Sequence, residues 1–186
     1  GAKHVAQEIK ATITKNIKAN KTTVLGLATG ATPILLYREL VHMHQKGLSF
    51  SSVVSFNLDE YYPMSADAKQ SYKSFMDEHF FNHIDIDRNH IFMPNGQVAM
   101  EEMESYCEDY ESKIDAFGGV DIQILGIGRT GHIGFNEPGS SPKSLTRLVT
   151  LDKTTRIDAS GDFRNESNVP RTAITMGVGT ISKAKK

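Results

Sequence analysis

The chain has 186 residues, 39% hydrophobic and 23% charged, which is enough to bury a core without disulfides or a structural metal. A formal net charge of −1 with scattered Lys and Arg provides no field for a polyanion, and no apolar run reaches the ~20 residues that span a bilayer, so neither nucleic acid nor membrane is an expected partner. The single Cys107 cannot close an internal disulfide and the N-terminus lacks a basic-then-apolar signal pattern, so the expected compartment is the cytoplasm.

Val5, Ile9, Ile13 and Ile17 recur every four residues among polar ones, which predicts an opening amphipathic helix with one narrow buried stripe. Thr23 to Leu27 reads as a strand. It is followed by the turn Ala28-Thr29-Gly30-Ala31-Thr32-Pro33 and a helix through Val41 and Met43, with Thr32 expected as its cap and Pro33 at its first position. A second strand, Val53 to Leu58, runs into Asp59-Glu60-Tyr61-Tyr62-Pro63, and a helix bearing Tyr72, Phe75, Met76 and Phe80 follows. Met100, Met103, Cys107, Tyr110, Ile114 and Phe117 mark another helix, closed by Gly118-Gly119, and Asp121 to Leu125 supplies a third strand.

This β-then-α alternation predicts an α/β fold: an open, mostly parallel sheet with helices on both faces, Rossmann-like in its three layers. Thr172 to Met176 reads as a further strand and Gly179-Thr180 should open a helix, yet the sequence stops within its first turns, and the chain begins on a helix where such folds usually begin on a strand. The expectation is a single domain over residues 1–186, truncated at both ends.

Ligands of open parallel sheets bind at the carboxyl ends of the strands, and three such ends carry unusual polar content. Thr29-Gly30-Ala31-Thr32 reads equally as an anion seat at a helix N-terminus, with phosphate its natural occupant, and as a tight strand-to-helix turn. Asp59, with Glu60 beside it, is placed to act as a general base, although taken alone it reads more readily as a cap. The third end is Gly126 to Pro138, whose first six residues match the dinucleotide pattern G-x-G-x-x-G. Gly134, Pro138, Gly139 and Pro142 would break the long helix that pattern requires, which leaves a glycine-lined loop presenting His132 and Glu137 as a proton-transfer pair. His79 and His83 have helical spacing but lack the Glu of a zinc protease helix, and Cys107 reads as core.

In order along the chain, Thr29-Gly30-Ala31-Thr32-Pro33, Phe56-Asn57-Leu58-Asp59-Glu60-Tyr61, Ser71-Tyr72 to Phe75-Met76, Gly131-His132-Ile133-Gly134-Phe135-Asn136-Glu137-Pro138 and Val178-Gly179-Thr180 resemble the glucosamine-6-phosphate deaminase (isomerase) family. The likeness covers essentially the whole length. It separates the chain from the related 6-phosphogluconolactonases, whose Gly-His loop does not continue into Asn-Glu-Pro.

The resemblance implies amino-sugar metabolism: His132, assisted by Glu137, would open the pyranose ring, and Asp59 would shuttle a proton between C2 and C1, releasing ammonia and fructose 6-phosphate. It implies no metal and no organic cofactor, and a small sugar phosphate as partner, held at Thr29, Gly30, Ala31 and Thr32 with Thr130, Gly131 and Arg164. The oligomeric state is left open. Where the family has an acidic residue two places before the loop histidine this chain has Thr130, and where it has a phosphate arginine this chain has Gly161, with Arg164 nearby as a substitute. Ser140, Ser141 and Arg147 match part of an allosteric phosphate site, but its further basic position is Val149. A sugar-phosphate-binding regulatory module and a lactonase-like hydrolase are the alternatives.

Overall fold

A computed structural model describes residues 1–186. The opening stripe forms α1, Ala2–Lys18, with Ala6, Ile9 and Ile13 buried. Ile17, expected in the same stripe, is instead 42% exposed, because a four-residue spacing drifts by about 40° per step around the helix and carries the last position off the core face.

Two sheets follow. The first is parallel and runs in the order β4-β2-β1-β5, from β1 (Thr23–Leu27), β2 (Val53–Asn57), β4 (Ile91–Phe92) and β5 (Ile122–Gln123). Its neighbours are helices: α1 with α2 (Ala31–Gln45) and α3 (Tyr72–His79) on one face, and α4 (Met103–Ala116) with α6 (Val178–Ser182) on the other. Strand alternation divides the two cores, since Leu25, Leu27 and Val53 join the α1–α2–α3 side while Val24, Val54 and Phe56 join the α4–α6 side. The expected third strand is thus present, though shorter than Asp121 to Leu125, and Gly118 and Gly119, with φ of 82° and 78°, end α4 as expected.

The second sheet is antiparallel, in the order β3-β7-β6, from β3 (Asp59–Tyr62), β6 (Arg147–Thr150) and β7 (Thr172–Thr175). The sequence pattern predicts one mostly parallel sheet and a loop at Asp59. The strand there exists because its backbone pairs with β7, more than 100 residues away, Asp59 opposite Thr175 and Tyr62 opposite Thr172. A third core of Tyr61, Phe135, Leu151, Phe163 and Ala173 packs against this sheet, beneath α5 (Lys153–Ala159).

α2 also begins earlier than expected. Gly30, with φ of 105°, takes the capping position, no side chain caps the helix, and Pro33 falls in its third position, where its missing N–H still leaves no bond unmade. No helix is long and apolar enough to cross a membrane.

Candidate active site

The carboxyl ends of β1 and β2 and the segment after β5 meet at one cleft. Its inner part, a cavity of about 450 Å³, is lined by Thr29, Thr32, Asp59, Tyr72, Gly126, Gly128, His132 and Gly134 among others. It opens into an outer part of about 1000 Å³ that shares Tyr72, Gly128, His132 and Phe135 with it and adds Gly30, Ala31, Arg129, Thr155 and Arg164. Two of the predicted strand ends therefore face the predicted glycine-lined loop across one space.

Asp59 stands at the junction of the two sheets, immediately after β2 and at the first position of β3. It is 6% exposed, and burial, reinforced by the charge of Glu60, pushes its carboxyl up to about 8. The loop approaches it closely: a Cβ on Gly134, whose φ is +54°, would lie 3.3 Å from Asp59 Oδ2 and 3.0 Å from Thr175 Oγ1. Glycine at this position lets the histidine loop pass against the carboxylate.

That loop is fastened from below. Phe135 N–H donates to Thr175 Oγ1 at 3.2 Å, and Asn136 Nδ2 donates to Met176 O at 2.8 Å and Ile133 O at 3.0 Å. Arg147 Nη1 donates to Asn136 Oδ1 at 2.9 Å, so in this structure Arg147 serves the loop's position. Burial lowers its affinity for a proton. Ser140 and Ser141 lie in the turn beyond the loop, where Ser140 N–H donates to Glu137 O and Ser141 Oγ accepts from Lys143 N–H, and neither lines the cleft.

His132 and Glu137 are joined through Thr130, whose Oγ1 lies 2.8 Å from His132 Nδ1 and donates to Glu137 Oε2 at 2.8 Å. The direct separation of His132 Nδ1 and Glu137 Oε1 is 3.5 Å. Thr155 Oγ1 on α5 donates to Glu137 Oε1, a contact that nothing in the sequence pattern signals because α5 is short and polar. Gly128 makes room for the ring, since a Cβ there would lie 2.1 Å from His132 Nε2.

At the anion seat, Tyr37 OH donates to Ala28 O and pins the turn, while Gly30, Ala31 and Thr32 are exposed with the uncapped first turn of α2 behind them. Arg164, exposed and with φ of 71°, stands on the outer rim, and Arg129 is paired with Asp158 at 3.1 Å. Gly131, with φ of 83°, forms the turn before His132 and does not line the cleft.

Glu60, next to Asp59 in sequence, turns away from the cleft. Its side chain leaves the opposite side of β3, Oε1 accepting from the N–H groups of Tyr61 and Tyr72 and Oε2 from that of Lys73, so it caps α3. Ser71 completes the cap by accepting from Ser74 N–H. His83 Nε2 pairs with Glu78 O at the surface, His79 packs edge-on to Phe75 and lines the outer cleft, and Cys107 is buried beside Met103 and Ile174 in the core.

The family described as glucosamine-6-phosphate isomerases/6-phosphogluconolactonase matches residues 1–186. A glucosamine-6-phosphate deaminase of a Thermoanaerobacter species is 49% identical over 175 residues, which cover 94% of this chain and 68% of that protein. A glucosamine-6-phosphate deaminase-like protein of Bacteroides thetaiotaomicron is 48% identical across 100% of this chain, which spans 28% of that longer relative. The solved structure of a monomeric glucosamine-6-phosphate deaminase superposes with a TM-score of 0.93 at 44% identity, over 100% of this chain and 75% of that one. With identity near one half carried along nearly all of its length, the chain belongs to the glucosamine-6-phosphate isomerase/deaminase family.

Proposed function

We propose that the protein converts glucosamine 6-phosphate to fructose 6-phosphate and ammonia. The observation that carries this reading is the meeting of Asp59 and His132 at one cavity, with His132 tied through Thr130 to the charge of Glu137. A deamination of this kind needs two separate proton carriers, one for ring oxygen chemistry and one for carbon.

His132 Nε2 takes the anomeric hydroxyl proton and returns it to O5 as the C1–O5 bond breaks and the C1 carbonyl forms. Asp59 then removes the C2 proton and returns it to C1 through a cis-enolamine. O1 takes a proton from the substrate ammonium, and the resulting C2 iminium adds water and loses ammonia. Burial raises the Asp59 carboxyl to about 8, and the cationic amine of the substrate favours the carboxylate form that abstracts the C2 proton. The turn Thr29 to Thr32, exposed from Gly30 onward, and the start of α2 are suited to the substrate phosphate, with Arg164 at the rim as a further cation.

The test is to supply the full chain separately with glucosamine 6-phosphate and with 6-phosphogluconolactone and to assay fructose 6-phosphate, ammonia and 6-phosphogluconate. The expected result is equal amounts of fructose 6-phosphate and ammonia, with no lactone hydrolysis above background. Hydrolysis of the lactone alone would assign a lactonase, and tight binding of glucosamine 6-phosphate without turnover would assign a regulator.

A further inference from the structure

Glu137 does not make a hydrogen bond to the imidazole it is expected to assist. The 3.5 Å between His132 Nδ1 and Glu137 Oε1 is beyond a good N–H···O bond, while Thr130 Oγ1 is 2.8 Å from His132 Nδ1 and 2.8 Å from Glu137 Oε2. A threonine hydroxyl has one proton to donate, and an ionised carboxylate only accepts. The Thr130 proton therefore points at Glu137, and its oxygen must accept from His132 Nδ1–H. The neutral ring carries its hydrogen on Nδ1 and presents the Nε2 lone pair against Gly128, on the wall of the cleft.

The second carboxylate oxygen is held from another element. Thr155, 7% exposed on α5, donates its hydroxyl to Glu137 Oε1, so both oxygens are pinned by threonines and the carboxylate cannot turn away from Thr130. Without Thr155, rotation about the Glu137 side chain would free Thr130 part of the time to donate to His132 instead, and the ring would populate both tautomers.

We propose that Thr130 is a positioning residue that fixes the His132 tautomer, with Thr155 as the anchor that keeps Glu137 aimed at it. The proposal rests on the deaminase reading for its effect on rate but not for its effect on the ring. Thr130→Ser keeps a hydroxyl at the same place, Thr130→Val keeps the shape and removes it, and Thr155→Val removes only the anchor.

Two readouts are taken on the full chain: the His132 tautomer from long-range ¹H–¹⁵N correlations of ¹⁵N-labelled protein, and the pH profile of kcat/KM with glucosamine 6-phosphate. Wild type and Thr130→Ser should both show the Nδ1–H form, with kcat/KM within about 3-fold of each other. Thr130→Val should lose the Nδ1–H form and about 10²-fold in kcat/KM, the lower end of what acid–base assistance supplies. Thr155→Val should give a mixture of tautomers and an intermediate loss, carried by kcat with KM little changed. An Nε2–H ring in wild type overturns the proposal even if no variant folds, as does an unchanged tautomer and pH profile in Thr130→Val. Absence of turnover in wild type would sink the deaminase reading and leave the tautomer assignment standing on its own spectrum.

Discussion

Asp59 and Glu60 are adjacent carboxylates with opposite duties, because a strand sends successive side chains to opposite faces. Asp59 faces the cleft near Gly134, and Glu60 binds the backbone of α3. Burying Asp59 has a consequence for stability. Its carboxyl is raised from 3.8 to about 8, so between those values the folded chain holds a proton that the unfolded chain has released. Stability is therefore favoured below the unfolded value and falls as pH rises through that window. Asp59→Asn removes this dependence. Its melting temperature should match wild type near pH 4 and exceed it at pH 8 by at least about 2–4 °C, the shift that 1 kcal/mol gives at this chain length. Calorimetry at the two pH values checks this, and an equal difference at both would mean that the Asp59 charge is not strained by its surroundings. The residue types of this site were legible from the sequence: Asp59, His132 and Glu137 stand out as acids and an imidazole where strands end. Their division of labour was not, since the opposite facing of Asp59 and Glu60 depends on a strand that the local pattern reads as a loop.

That strand shows what a local pattern leaves out. Asp-Glu-Tyr-Tyr before a proline carries turn-like and polar residues, and only the register with β7 makes it β3. By contrast β1 falls on the predicted residues Thr23 to Leu27, because a short β-branched and apolar run buried on both faces declares itself without distant help. Thr155 was invisible for the same reason as β3: its importance lies in a contact with Glu137, not in any periodicity. At this level Glu60 joins the sheet to the helix that forms one wall of the cleft, for α3 carries Tyr72 and Phe75. Burial pushes the Glu60 carboxyl up to about 7 against the pull of the three N–H groups it accepts. Glu60→Ala leaves those donors unpaired, at a cost of about 1–3 kcal/mol. Its first effect should be faster amide hydrogen exchange at Tyr72 and Lys73, accompanied by a raised KM. Unchanged exchange there would show that Ser71 alone holds the start of α3.

At the level of the molecule, the site is the seam between two sheets of different kind. The parallel sheet supplies the turn before α2 and the end of β2, the antiparallel sheet begins on Asp59 and supports the histidine loop through Thr175, and α5 reaches Glu137 from outside both. This arrangement follows from the chain crossing from one sheet to the other at Leu58, so that Asp59 is set between Leu58 in the α4–α6 core and Tyr61 in the core beneath α5. A base fixed in this way can be replaced by an amide of the same shape without disturbing the pocket, which makes the comparison clean. The decisive measurement is the turnover of glucosamine 6-phosphate by the full chain and by its Asp59→Asn variant, under saturating substrate and with folding confirmed by calorimetry. A fall in kcat of at least about 10²-fold, with substrate binding retained, is the predicted result; a variant that releases ammonia as fast as wild type would contradict the assignment of Asp59 as the carrier of the C2 proton.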